Sequence, residues 1–301
     1  MALVRSSVAR RLGIAIDDAV EMIDRNVEGI VTMTLDASLN YDKALSNDRL
    51  CAWQAGLFPG SWSNLYKIKA GYYRDDANGP MVIVSGPMRH EKIHYQAPEA
   101  SLVPVEMEKF LSWANSESGT DYVLKAAIAH FWFVTIHPFE DGNGRVARAI
   151  TDWFLCKADQ TPRRFYTLSN VINKRRESYY SALKDAQNTQ SMDITKWLEW
   201  FLRITREAIM ESGEVLARIL EKHVLLQRIP LTKLNERQRK IIDMLFNNFE
   251  GKLTTTKYAK IAKTSQDTAG RDLTALIEWG VLERVGSGRS TNYVLSVKNF
   301  T

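Results

Sequence analysis

The residues from Tyr122 to Ile136, YVLKAAIAHFWFVTI, are apolar on nearly every side of a helical projection. A helix with no polar face is buried rather than laid on a surface. It runs straight into His137, and after two glycines RVARAITDWFLCKA resumes the helical spacing. The same spacing predicts helices over Ile16–Ala37, Val105–Asn115, Ile172–Gln187 and Met192–Gln227, the last too long to run uninterrupted. Between the first two, Lys67–Gly86 changes period. Strand-like runs over Ala70–Arg74 and Met81–Ser85 flank Asn78-Gly79-Pro80, a hairpin signal. Pro87, Pro98 and Pro104 then mark a loop. Up to about residue 228 the pattern is all-α with one hairpin.

Ile229-Pro230-Leu231 reads as a boundary between a first domain (1–228) and a second (229–301). Beyond it the order is helix, short helix, helix, then two strands around Gly286-Ser287-Gly288. That order matches a winged helix-turn-helix, with Thr264–Trp279 as recognition helix.

Composition narrows the class. Of 301 residues 45% are hydrophobic and 25% charged, an ordinary globular balance. No apolar run reaches membrane-spanning length and no secretory h-region opens the sequence. Cys51 and Cys156 form no CxxC and are expected to be reduced core residues of a cytoplasmic protein. The net charge is +5, and from Asn235 to Thr301 eleven Lys/Arg face seven Asp/Glu, so four of the five charges lie there. A polyanionic partner and a merely solubilising surface are both consistent with that tail.

The chemistry concentrates in His137–Arg148, HPFEDGNGRVAR. A helix ends at His137 and another starts near Gly144, whose free N–H groups and positive dipole end face the intervening loop. Glycines at 142 and 144 let that backbone approach an anion closely. Arg145 and Arg148 can reach terminal phosphates as forks, and Asp141 is a hard oxygen donor suited to Mg²⁺ bridging phosphates. His137 can take a proton from an attacking hydroxyl. Together these are the parts of phosphoryl or nucleotidyl transfer.

The segment resembles the Fic-domain signature HxFx[DE]GNGRxxR at every fixed position. The stretches VRSSVARRLGI, NYDKALSNDRLCAWQAGLFP, GPMVIVSGP, HYQAPEA, RRESYYSALKDAQ and DITKWLEWFL, with those after Leu234, resemble bacterial Fic proteins with a C-terminal winged helix. The resemblance implies a mainly α fold: a Fic-type helical bundle with a β-hairpin flap, followed by a winged helix-turn-helix domain. It implies transfer of AMP from ATP, with Mg²⁺, to a Tyr, Thr or Ser hydroxyl of a target protein, including the chain itself. His137 would be the base, Asp141 the Mg²⁺ ligand, and Gly142, Asn143 and Gly144 the anion hole, with Asn143 steadying the α-phosphate. Arg145 would hold the β-phosphate and Arg148 the γ-phosphate, while Phe139 would anchor the loop. Tyr179, Tyr180 and Gln187 are the candidates for contacting adenine, one tyrosine facing the base and the other packing in the core. The hairpin would be the flap that registers a target segment by strand addition, through Tyr72, Tyr73, Val82, Ile83 and Val84.

Many Fic proteins also carry an inhibitory helix, [ST]xxxE[GN], upstream of the VRSS stretch. Here VRSS begins at Val4, and the near match Asp24–Gly29 lacks the Ser or Thr, so a chain free of that inhibition is expected. Two other readings stay open. One is a nucleotide-sensing DNA-binding regulator that contacts DNA through Lys263, Gln266, Thr268, Arg271, Arg284 and Arg289, with Asp267 and Asp272 opposing the phosphates. The other is transfer of phosphate or a different nucleotide. The second domain could equally dock a protein or a second copy of the chain.

Overall fold

The computed structural model describes residues 25–63, 65–77, 79–85, 92–189, 191–227, 234–246 and 249–296. The chain forms two compact units that divide between Met210 and Glu211.

In the first unit, helix α1 (Arg25–Leu39) buries Val31, Met33 and Ala37. Gly29 lies inside this helix. A Cβ there would come within 1.8 Å of the Gly56 carbonyl oxygen, so only glycine allows the approach to helix α2 (Asn47–Gly56). Ser46 starts α2 by accepting the Arg49 N–H. Strands β1 (Trp62–Ser63) and β2 (Tyr66–Lys67) form a minimal antiparallel pair. Strand β3 (Val82–Ser85) pairs with β4 (Lys92–Gln96), with Ile83 opposite Tyr95 and a register shift after Ile83. The hairpin is therefore not the expected Lys67–Gly86. The run Ala70–Arg74 is unavailable as a strand because its backbone is bonded elsewhere: Gly71 N–H to the Gln54 side chain and Arg74 N–H to Pro138 O. Asn78 and residues 86–91, Pro87 among them, lie outside the described residues.

Helix α3 (Val103–Asn115) takes Pro104 into its first turn, where a missing N–H costs nothing. Helix α4 (Tyr122–Ile136), capped by Asp121, buries Ala126, Ala127, Ala129, His130, Phe133, Val134 and Ile136, as its all-round apolar pattern predicts. Helix α5 (Asn143–Asp159) packs along it. Helices α6 (Leu168–Lys174), α7 (Arg176–Gln187) and α8 (Thr195–Gln227) follow, the residues of α8 from Glu211 on belonging to the second unit. The expected break in α8 is absent, because Gly213 costs a helix only about 1 kcal/mol. Phe110, Phe133, Trp153, Phe154, Trp197 and Phe201 are central to the core of this unit.

The second unit has helices α9 (Glu236–Phe246), α10 (Thr255–Ala262) and α11 (Gln266–Glu278), then antiparallel strands β5 (Leu282–Val285) and β6 (Asn292–Leu295). Leu253 bridges to Tyr293 alongside them. Thr254 and Ser265 cap α10 and α11 with their hydroxyls, so α11 begins two residues later than the sequence suggests. Leu225, Leu234, Ile241, Tyr258, Leu273, Leu276 and Leu282 form its core. The architecture is mainly α with small hairpins. Among the described residues no helix is long and apolar enough to cross a membrane. The Ile229–Leu231 boundary, the segment before Arg25 and Asp24 of the near-inhibitory match lie outside the described residues.

Candidate active site

Helix α4 ends at His137, which adopts a left-handed conformation (φ 52°, ψ 58°) with its N–H on Phe133 O. The chain thereby turns sharply into the loop 138–142. Its imidazole Nδ1 lies 3.1 Å from Val134 O. A carbonyl only accepts, so Nδ1 carries the proton and Nε2 keeps its lone pair in the neutral ring. Burial lowers the ring pKa to about 4, assisted by the Arg74 charge and opposed by the Val134 bond and Asp141. At neutral pH the ring is uncharged.

The loop is clamped from both sides. Phe139 is fully buried, 5.7 Å from the Tyr73 ring and 6.3 Å from Phe133. Asn143, at the start of α5, spends its side chain on Phe139. Its Oδ1 accepts the Phe139 N–H (2.9 Å) and its Nδ2 donates to Phe139 O (2.7 Å). Arg74, whose side chain is wholly buried, donates to His137 O (2.8 Å), Pro98 O and Asp76 Oδ1 (2.8 Å). Gln54 donates to Asp141 O, and Glu140 accepts the Lys69 N–H. Gly142, with φ at 88°, precedes α5; a Cβ on it would sit 2.9 Å from Phe58. Both the backbone angle and the space require glycine.

Asp141 stands at the exposed lip. Its Oδ2 accepts from Ser63, its Oδ1 accepts the Gly142 N–H, and Arg145 lies 3.8 Å away. The Arg145 guanidinium stacks over Phe58 at 4.6 Å. Among the described residues no cluster of three or more His, Cys, Asp or Glu could cage a metal. A single carboxylate with lone pairs to spare fits Mg²⁺ held mostly by phosphate oxygens and water.

Behind the loop opens a cleft of about 160 Å³ lined by His137, Gly144, Arg148, Tyr179, Tyr180 and Gln187, with Ile83 and Tyr95 from the β3–β4 hairpin and with Val134, Leu183 and Lys184. Residues picked from three distant stretches of sequence thus meet. Tyr179 is only 7% exposed and T-stacked on Tyr180, so the first tyrosine is largely core and the second the more open wall. Gln187 donates to Thr135. The flap residues separate. Ile83 lines the cleft, Val82 sits beside it in β3, and the Val84 side chain lies outside the described residues. Tyr72 is exposed, whereas Tyr73 packs under the loop and belongs to no strand.

In the second unit Lys263, Gln266, Arg271 and Arg284 are exposed and Thr268 is half-buried, while the Arg289 side chain lies outside the described residues. Asp272 does not face outward. Arg237, Asn235 and Tyr258 all donate to its buried carboxylate. Burial raises its pKa, but these bonds outweigh it and hold the carboxyl below the usual range. Arg74, Gln54, Ser63, Phe58 and Tyr95 escaped the sequence reading. Arg74, Gln54 and Ser63 act through hydrogen bonds to residues far along the chain, which no local pattern signals.

Residues 44–155 match the model of the Fic/DOC family, a stretch that takes in helix α4, the loop and most of α5. Over 156 residues, 51% of the chain, the sequence is 33% identical to a probable protein adenylyltransferase of Aquifex aeolicus (strain VF5), covering 42% of that protein. Over 161 residues, 49% of the chain, it is 27% identical to the protein adenylyltransferase Fic of Drosophila virilis, covering 32% of it. The chain therefore spans less than half the length of either relative. The fold is similar to the crystal structure of a Fic family protein from Desulfovibrio desulfuricans G20, with a TM-score of 0.52 and 22% identity over 99% of this chain and 82% of that one.

Proposed function

We propose that the chain is a protein adenylyltransferase, moving AMP from ATP to a Tyr, Thr or Ser hydroxyl of a target protein. The observation that carries this reading is the state of His137. It is neutral, with Nδ1 bonded back to Val134 and Nε2 left as a lone pair, in the same cleft as Gly144 and Arg148. The target oxygen attacks the α-phosphorus, its proton passes to Nε2, and the bond to pyrophosphate breaks. The N–H groups at the start of α5, from Gly142 through Gly144, take the α-phosphate oxygens. Asn143 contributes through its backbone and by shaping the loop, since both ends of its side chain are spent on Phe139. Arg145 and Arg148 take the β- and γ-phosphates. Asp141 would hold Mg²⁺, which supplies charge neutralisation on the phosphates. Tyr180 and Gln187 receive the base, with Tyr179 behind them. The β3–β4 hairpin, whose Ile83 reaches the cleft, is the flap for a target strand.

With MgCl₂ and ATP labelled at the α-phosphorus, the chain should label itself or a supplied protein. His137→Ala should abolish labelling while ATP still binds, because the base acts on the hydroxyl and not on ATP. Label arriving from the γ-phosphorus instead would establish phosphate transfer, and full labelling by the variant would remove His137 from its role.

A second reading concerns the second unit, whose part from Asn235 on would act as a winged helix that binds DNA. It is favoured by the withdrawal of Asp272 from the surface of α11, which leaves Lys260, Lys263, Gln266 and Arg271 exposed with Asp267 as the opposing acid.

A further inference from the structure

His130 lies in the middle of α4, fully buried and outside the set of residues given a role above. Its ring bridges two other helices. Nδ1 is 2.9 Å from Thr151 Oγ1 on α5, and Nε2 is 3.0 Å from the Tyr179 hydroxyl on α7. The direction of every bond follows from one of them. The Thr151 hydroxyl donates its single proton to Ala147 O at 2.8 Å, and that carbonyl can only accept. Toward His130, Thr151 must therefore accept, so Nδ1 carries the proton. Nε2 is then a lone pair, and the Tyr179 hydroxyl donates to it. A charged imidazole would reverse that last bond, but burial drives the ring pKa down to about 3, with the Arg148 charge adding to the effect.

We propose that His130 is a positioning residue for the nucleotide cleft, whose neutral ring ties the Tyr179 wall on α7 to the turn of α5 that carries Arg148. The inference rests on reading the cleft as the ATP site. The relay spans the three helices that carry the base, the phosphate ligands and the cleft wall. It also spends the Tyr179 hydroxyl inward, so that Tyr179 offers the cleft its ring and no hydrogen bond. Trp197 and Phe201 close the remaining sides of His130, at 5.7 and 6.5 Å between ring centres, and keep water from competing. Buried polar chains of this kind specify geometry because each member has a single satisfied arrangement.

The test uses Thr151, which lines none of the cleft. Valine has the shape of threonine without its hydroxyl, so Thr151→Val cuts the relay with little change in packing. Titration of the full chain with ATP and MgCl₂ should show about tenfold weaker binding for Thr151→Val and unchanged binding for Thr151→Ser, a tenfold change being about 1.4 kcal/mol. Combining Thr151→Val with Tyr179→Phe should weaken binding no further than Tyr179→Phe alone, since both break one chain. Unchanged affinity in Thr151→Val, or additive losses in the pair, overturns the proposal while the parent chain still binds ATP. A parent chain that does not bind ATP overturns the nucleotide reading and this inference with it. Nitrogen-15 spectra of the parent chain read the tautomer without any variant. A protonated Nδ1 that persists from pH 8 to pH 5 supports the relay, and a protonated Nε2 overturns it.

Discussion

At the scale of single residues, two histidines and a glycine set conditions on the whole site. His130 and His137 are both held neutral by burial, with pKa values near 3 and 4 against about 6.5 in an unfolded chain. Their folded pKa values are depressed. The stability they confer is complete above pH 6.5 and is lost as the unfolded state gains protons below it. For the fully buried His130 ring the loss approaches about 1.4 kcal/mol per unit of pH, and for the partly accessible His137 it is smaller. The midpoint of thermal unfolding should therefore fall steeply between pH 6.5 and pH 4. In His130→Gln the slope over that window should be shallower, whatever its stability at pH 8; an unaltered slope would show that His130 is not the group responsible. Gly142 combines a positive φ with a neighbour 2.9 Å from where a Cβ would stand. Gly142→Ala should cost on the order of 1–3 kcal/mol in denaturant unfolding and should lose ATP affinity as Phe58 and the start of α5 are pushed apart.

At the scale of elements, the loop between α4 and α5 owes its form to chain far from it. The wholly buried Arg74 gives one guanidinium to His137, Pro98 and Asp76 at once. Arg74→Met leaves those acceptors unpaired and should destabilise the first unit by about 3 kcal/mol or more. Arg74→Lys should recover little, because a point charge cannot span three directions; full recovery would mean that charge alone matters there. Arg74 also explains what the sequence concealed. The helices were legible because their apolar positions repeat, and the motif because its residue types are unusual together. The strand pairing is not legible because Asn78-Gly79-Pro80 signals a turn regardless of which strands flank it, and β3 pairs with the later β4. The run before it is held by Gln54 and Pro138, both remote in sequence. The positions of Asn143 and Ser63 relative to the loop were equally closed to a one-dimensional reading. The first looks like a phosphate ligand and fastens Phe139, and the second lies 78 residues from the carboxylate it meets.

At the scale of the whole molecule, charge and aromatic rings are unevenly shared. The positive excess beyond Asn235 counts for DNA only if its acids do not cancel it locally, and Asp272 is neutralised within the second unit. The intact chain should bind duplex DNA with an affinity that falls steeply as salt rises. Replacing Lys263 and Arg271 with alanine should flatten that dependence by about one power of salt for each phosphate no longer neutralised. Binding that is weak and unaltered by the double variant would assign the unit to protein docking. The tryptophans are more lopsided still. Seven of the eight precede residue 201, and only Trp279 follows. Trp197 and Trp200 lie stacked with ring centres 5.2 Å apart, and Tyr179 at the back of the cleft is 6.2 and 5.7 Å from them. Excitation absorbed by that phenol can pass to the indoles, so the emission of the unlabelled chain should change when a ligand in the cleft displaces Tyr179. The second unit adds the single indole of Trp279 to the same spectrum.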